Sequence, residues 1–184
     1  MDYRRTRIAG ISYFFTVVAY RRQKHFDDGA SIDALNKAIA QIQDRRPFDN
    51  VAQVILPDHL HALWTLPEGD DDYPTRWRLI KEAFTRWHVS EFGAGERSKS
   101  RKAKGEQTVW QRRYWEHAIR DENDFARHFD YIHINPVKHQ LVAAPKDWPH
   151  STFHDWVAAG RYDIGWGSDR REEIAAWRAR KSYE

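Results

Sequence analysis

Val51-Ala-Gln-Val-Ile-Leu-Pro-Asp-His-Leu-His-Ala-Leu-Trp-Thr-Leu-Pro67 reads as two apolar strand runs with a turn at Pro57-Asp58 between them. Side chains alternate across a strand, so His59, His61, Leu63 and Thr65 share one face, and Leu60, Ala62, Trp64 and Leu66 share the other. Consecutive same-face positions lie roughly 6.6 Å apart along a strand. Two imidazoles at that spacing can converge on one divalent metal. The same spacing also suits two half-buried histidines paired with backbone or water, and the pair alone leaves both readings open.

The chain of 184 residues is long enough for one domain with its own core and a tail. Cysteine is absent, which excludes disulfides, thiolate metal sites and a cysteine nucleophile. No apolar run reaches membrane-spanning length, and the opening Met-Asp-Tyr-Arg-Arg-Thr-Arg lacks a signal-peptide pattern, so the expected location is cytoplasmic, with no membrane partner. The net charge of +3 is small, but the basic residues are clustered. Arg4, Arg5 and Arg7 stand at the start; Arg97, Lys99, Arg101, Lys102 and Lys104 crowd one segment; Arg112 and Arg113 follow it. More basic residues lie between 170 and 181. Such clusters on a nearly neutral chain point to a polyanionic partner, whereas isolated runs of this kind are usually solvated surface.

Working outward, residues 11 to 19 are β-branched and aromatic and form a first strand. Ser31 is the expected N-cap of a helix to about Arg45, with Ile32, Leu35, Ile39 and Ile42 at helical spacing and Pro47 as its stop. Residues 68 to 72 form an acidic loop without the spacing of a calcium loop. A second helix runs from about Pro74 to Phe92, ended by Gly93, with Trp77, Ile80, Phe84 and Trp87 as its apolar stripe. Residues 93 to 107 resemble a mobile basic loop, and an aromatic strand lies near 113 to 119. A third helix should run from an N-cap at Asp121 to about Asn135, where Pro136 ends it. Residues 169 to 181 read as a short basic amphipathic helix. The order strand, helix, strand, strand, helix, strand, helix predicts an α+β domain, a small antiparallel sheet covered by helices.

On the third helix, Phe125, Phe129 and Ile132 cluster at about 100° per residue, and Asp124, His128, Tyr131 and Asn135 fall on the opposite side. Asn135 lies one turn beyond Tyr131, close enough to act at one site. A tyrosine hydroxyl beside a metal-held phosphate is a possible nucleophile, and a surface tyrosine is the blander alternative.

Two stretches, Leu56-Pro-Asp-His-Leu-His61 and Asp130-Tyr-Ile-His-Ile-Asn-Pro-Val-Lys-His139, together resemble the single-tyrosine HUH transposases, and more closely the REP-associated tyrosine transposases. Tyr3-Arg-Arg, Phe14-Phe15-Thr16, Thr65-Leu-Pro-Glu-Gly-Asp70, Tyr114-Trp-Glu-His-Ala-Ile-Arg120 and Trp148-Pro-His-Ser-Thr-Phe153 extend the resemblance over about residues 3 to 155. The basic insert at 93 to 107 and the tail match no motif. The resemblance implies a ferredoxin-like antiparallel sheet with helices packed on it and the two histidines on a central strand. It implies a transposase domain over residues 1–160 and a basic C-terminal extension over 161–184. His59 and His61 would be metal ligands and Tyr131 the nucleophile. Asn135 would be the third ligand, with His128 as a competitor. Glu116 and His117 carry no assigned role.

The implied activity is metal-dependent cutting and joining of single-stranded DNA at repetitive extragenic palindrome hairpins, through a 5′-phosphotyrosine link and with Mg²⁺ or Mn²⁺. Backbone phosphates would be held by Arg4, Arg5, Arg7, Arg97, Lys99, Arg101, Lys102, Lys104, Arg112 and Arg113. Trp110, Tyr114 and Trp115 would stack on bases or, alternatively, pack in the core. The expected partner is single-stranded or hairpin DNA, at the nucleoid, for a monomer or homodimer. Rival readings are a hairpin-binding protein of this fold that does not cut, a hydrolase in which water attacks, and an RNA-binding factor.

Overall fold

The computed structural model describes residues 7–169. Four strands form one antiparallel sheet: β1 (Ser12–Val18), β2 (Asp49–Leu56), β3 (His59–Thr65) and β4 (Trp115–Ala118). Their spatial order is β2-β3-β1-β4, so β1 and β3 are central. The helix α1 (Gly29–Arg45) connects β1 to β2, the Pro57-Asp58 turn connects β2 to β3, and α2 (Tyr73–Phe92) leads from β3 towards β4. This is the ferredoxin-like βαββαβ pattern expected from the resemblance. The short α3 (Lys99–Ala103) interrupts the last connection, and α4 (Glu122–Lys138) and α5 (Phe153–Ala158) follow.

The sheet is buried on both faces. Tyr13, Phe15, Val17, Leu60, Ala62 and Trp64 point towards α1 and α2 and join Leu35, Ile39, Trp77, Ile80 and Phe84 in the larger core. Trp64 and Trp77 stack there with centroids 4.1 Å apart. On the other face Phe14, Ala52, Val54, Leu56 and Leu63 meet Phe129, Ile132, Phe153 and Tyr162. The alternation along β3 therefore divides as expected, and the histidine face is the one covered by α4.

Several local features depart from the sequence reading. Asp28, not Ser31, caps α1, because its carboxylate accepts from Ser31 N (2.8 Å) and Ser31 Oγ (2.6 Å) and the helix begins at Gly29. Trp87 is only half-buried. Residues 99–103 form α3 within the expected loop, because Arg101 is buried, donates to the carbonyls of Gln107 and Trp110, and lies 4.1 Å over the Tyr20 ring. The strand near 113–119 is confined to 115–118. The third helix does start after the Asp121 cap but continues through Pro136 to Lys138. Proline forfeits one N–H and crowds one carbonyl. Here the ladder resumes at once, with His139 N donating to Asn135 O at 2.9 Å. Beyond Gly160, Tyr162 stacks on Phe129, lies tilted against Trp166, and donates to Asp130 Oδ1 at 2.7 Å. The expected helix over 169 to 181 lies outside the described residues, apart from Asp169. Among the described residues, no helix is long and apolar enough to cross a membrane.

Candidate metal and nucleophile site

The sheet register lays out the site in rows. Val54, His61, Thr16 and Trp115 are paired in register across β2, β3, β1 and β4, and Ala52, Leu63, Phe14 and His117 form the next row. Directly paired residues point to one face, so all of these side chains face α4. The helix brings Tyr131 down onto them. Its ring lies edge-on to His61 at 5.3 Å and to Phe14 at 5.8 Å, centroid to centroid. The His59 and His61 rings are 5.0 Å apart and nearly perpendicular. His139, the cap residue of α4, stands 5.0 Å from His59.

Each histidine is oriented through its Nδ1. His59 Nδ1 is 2.5 Å from Asp58 Oδ1, so a hydrogen on Nδ1 donates to the carboxylate and fixes the ring. Burial works to raise the Asp58 carboxyl, but the hydrogen bond and charge of His59, with those of Arg22, bring it down to about 2, and it stays ionised. His61 Nδ1 lies 2.9 Å from Thr16 Oγ1, while its Nε2 is buried with no hydrogen-bond partner. Burial, then the charges of His59, Lys138 and His139, hold His61 well below the ordinary histidine range. It is neutral at physiological pH, the state a metal ligand needs.

Asn135 is fully buried, and its Nδ2 donates to Tyr131 O at 3.3 Å. Its Oδ1 is likewise buried without a partner. Buried polar atoms without partners are costly, and two of them on facing elements fit a cation better than they fit an empty core. Two imidazole nitrogens and an amide oxygen make a coherent donor set for a divalent ion.

A second group of donors, His117, Asp124 and His128, has atoms within 4.8 Å of one another. It is arranged differently. The His117 and His128 rings are 20° from parallel at 4.6 Å, so no nearby point lies in both ring planes. Asp124 already accepts from His117 Nε2 (2.7 Å), Arg120 and Arg127. Burial pushes its carboxyl up, and these hydrogen bonds outweigh it and hold it well below the usual range. The group ties β4 to the start of α4 and leaves the His128 ring tilted against Phe14, 4.8 Å away.

The polyanion-binding candidates are spread widely. Arg4 and Arg5 lie outside the described residues. Arg7 pairs with Asp71 at 2.6 Å, beyond the end of β1 that faces away from His59. Arg97 is half-buried; Lys99, Lys102, Lys104 and Arg113 are exposed; Arg112 is exposed and bonded to Glu106 and Ser100. Arg101 is buried, as are Trp110 and Tyr114 in the α1/α2 core, so packing occupies all three side chains. Trp115 is 51% exposed, stacked on His117 and two strands from His61. Asp58, Thr16, Lys138 and His139 were not singled out from sequence. All four stand inside the quoted motifs, which carry the signal for them; the pairing of Thr16 with His61 follows from the register.

No family model matches the chain. It is 45% identical over 168 residues to the REP-associated tyrosine transposase of Escherichia coli (strain K12), covering 91% of this chain and 92% of that one. A Haemophilus influenzae relative sharing that family description is 44% identical over 168 residues, 91% and 94% of the two chains. Among solved structures, one described as a REP-associated tyrosine transposase bound to a REP hairpin superposes with a TM-score of 0.76 at 45% identity, covering 92% of each chain. Identity at this level over nearly the whole length, on the same four-stranded sheet, means that the chain belongs to the REP-associated tyrosine transposases.

Proposed function

We propose that this transposase binds hairpin DNA of the repetitive extragenic palindrome type and cuts and rejoins its single-stranded flank through Tyr131. The observation that carries the reading is the meeting of Tyr131 with a neutral, buried His61 whose Nε2 has no protein partner. The hairpin partner is inferred from the solved relative, which is described as bound to one. Family membership implies a divalent ion, and His59 Nε2, His61 Nε2 and Asn135 Oδ1 are the atoms that would hold it. When bound, such an ion supplies Lewis-acid charge at a non-bridging oxygen of the scissile phosphate. Two imidazoles with one amide favour Mn²⁺ over Mg²⁺ in affinity.

Tyr131 Oη attacks phosphorus, the bond from phosphorus to the 3′ oxygen breaks, and the phenol proton ends on the released 3′-OH. The 5′ phosphate stays on Tyr131. A 3′-OH can reverse the step, so joining needs no nucleotide cofactor. Phe14 and His61 hold the phenol ring edge-on, which restricts the approach of its oxygen. Trp115 offers an exposed ring to an unpaired base beside the cut. The working unit extends to about residue 160, with 161–184 as an extension that begins docked through Tyr162, and the site of action is the nucleoid.

Covalent trapping tests this. The protein is mixed with labelled hairpin DNA and Mn²⁺ or Mg²⁺, then denatured, beside Tyr131→Phe and His59→Ala. An adduct with wild type alone is expected. Cleavage without an adduct would favour attack by water, and binding without cleavage would favour a hairpin-binding protein.

A further inference from the structure

Lys138 Nζ donates to Tyr131 Oη at 2.8 Å, and lies 4.4 Å from the centre of the same ring. Seven residues separate the two, about two helical turns, so both project from one side of α4. The contact exists because α4 continues through Pro136. A lysine in the last turn of a helix ordinarily caps free carbonyls or extends into water. This one folds back, so that its ammonium meets the phenol oxygen as well as lying within cation–π range of the ring.

We propose that Lys138 is a catalytic residue of the strand-transfer step. The inference rests on the reading of Tyr131 as nucleophile. The ammonium holds the attacking oxygen in place, and as the bond from Oη to phosphorus forms it stabilises the negative charge collecting on that oxygen and on the phosphoryl group. It stays on the bridging oxygen of the phosphotyrosine link and meets the same charge when a 3′-OH reverses the reaction. Lys138 keeps its proton throughout: one oxygen–phosphorus bond forms, one breaks, and the phenol proton is accounted for by the 3′-OH.

The test is the single-turnover rate of adduct formation with Mn²⁺ and saturating hairpin DNA carrying a single-stranded flank. Lys138→Met should slow it by about 100-fold, while hairpin affinity changes by no more than about threefold. Lys138→Arg, which keeps the charge but not the shape, should recover about tenfold of that loss. A substrate with sulfur in place of the 3′ bridging oxygen separates the two ends of the reaction, since sulfur leaves without help. The Lys138→Met defect should persist with it; restoration to the wild-type rate would mean that the lysine serves the leaving group, and would overturn the assignment. Equal rates for wild type and Lys138→Met would overturn the role of Lys138 alone. Failure of wild type to form any adduct, with hairpin bound, would overturn the nucleophile reading and this role with it.

Discussion

Asp58 Oδ1 stands 2.5 Å from His59 Nδ1, and Thr16 Oγ1 stands 2.9 Å from His61 Nδ1, so each ring is held through Nδ1. Asp58→Ala should therefore weaken Mn²⁺ binding by about 10- to 100-fold although no proposed ligand is touched. Thr16→Val should act in the same direction and more weakly, since it removes a neutral partner. Calorimetric titration of metal into the protein reads both, and unchanged affinity in Asp58→Ala would remove the carboxylate from the site.

The tryptophans separate binding from stability. Trp115 is half-exposed on the edge strand β4, and Trp110 is 6% exposed between Phe26 and Phe84. Trp115→Ala should cost about 1–3 kcal/mol of single-strand affinity, measured by fluorescence anisotropy, with little change in Tm. Trp110→Ala should cost about 3–5 kcal/mol of stability, a Tm fall of roughly 10 °C. Loss of affinity in proportion to loss of fold in both variants would mean that Trp115 is merely structural.

Acid stability should depend on Asp124. Its carboxyl is held well below the ordinary range, since bonds from His117, Arg120 and Arg127 outweigh its burial. A carboxyl depressed in the folded state contributes stability that is complete above the unfolded value of about 3.9 and is lost as the pH falls through the folded value. Asp124→Asn should lower stability at neutral pH by about 2 kcal/mol. It should also flatten the decline below about pH 4. Thermal melts from pH 7 downward measure both. Asp58 and Asp70, also depressed, would keep a residual slope, but an acid limb identical to wild type would exclude Asp124 from it.

The segment after Gly160 should contribute to the stability of the core. Tyr162→Ala removes a ring packed on Phe129 and Phe153 and should cost about 3 kcal/mol. Gly167 has φ +79°, and a Cβ there would stand 2.7 Å from Ile134 Cδ1 and 2.9 Å from Pro145 Cγ. Gly167→Ala should cost about 1–3 kcal/mol through strain and overpacking. Urea unfolding checks both, and wild-type midpoints would show the segment to be dispensable.

Local periodicity was enough for much of this protein. It separated the two faces of β3, so that His59 and His61 fell together and Leu60, Ala62 and Trp64 opposite them. It placed the stripe Ile32, Leu35, Ile39 and Ile42 on α1, where all four are buried, and it grouped Asp124, His128, Tyr131 and Asn135 on one side of α4. These are relations within single elements, and the 2.0 and 3.6 repeats determine them without reference to the rest of the chain. Tertiary structure alone decided which faces meet. His61 and Tyr131 are 70 residues apart, and only the β2-β3-β1-β4 order, with α4 laid across the face opposite α1 and α2, brings their rings to 5.3 Å. The same packing drew Arg101, Trp110 and Tyr114 inward and left Trp115 in solvent, because burial depends on neighbours distant in sequence. Pro136 looked like an end to the helix, since its local cost is real. The turn beyond it survives under tertiary packing, with Pro136 and Val137 both buried, and delivers Lys138 to the tyrosine hydroxyl.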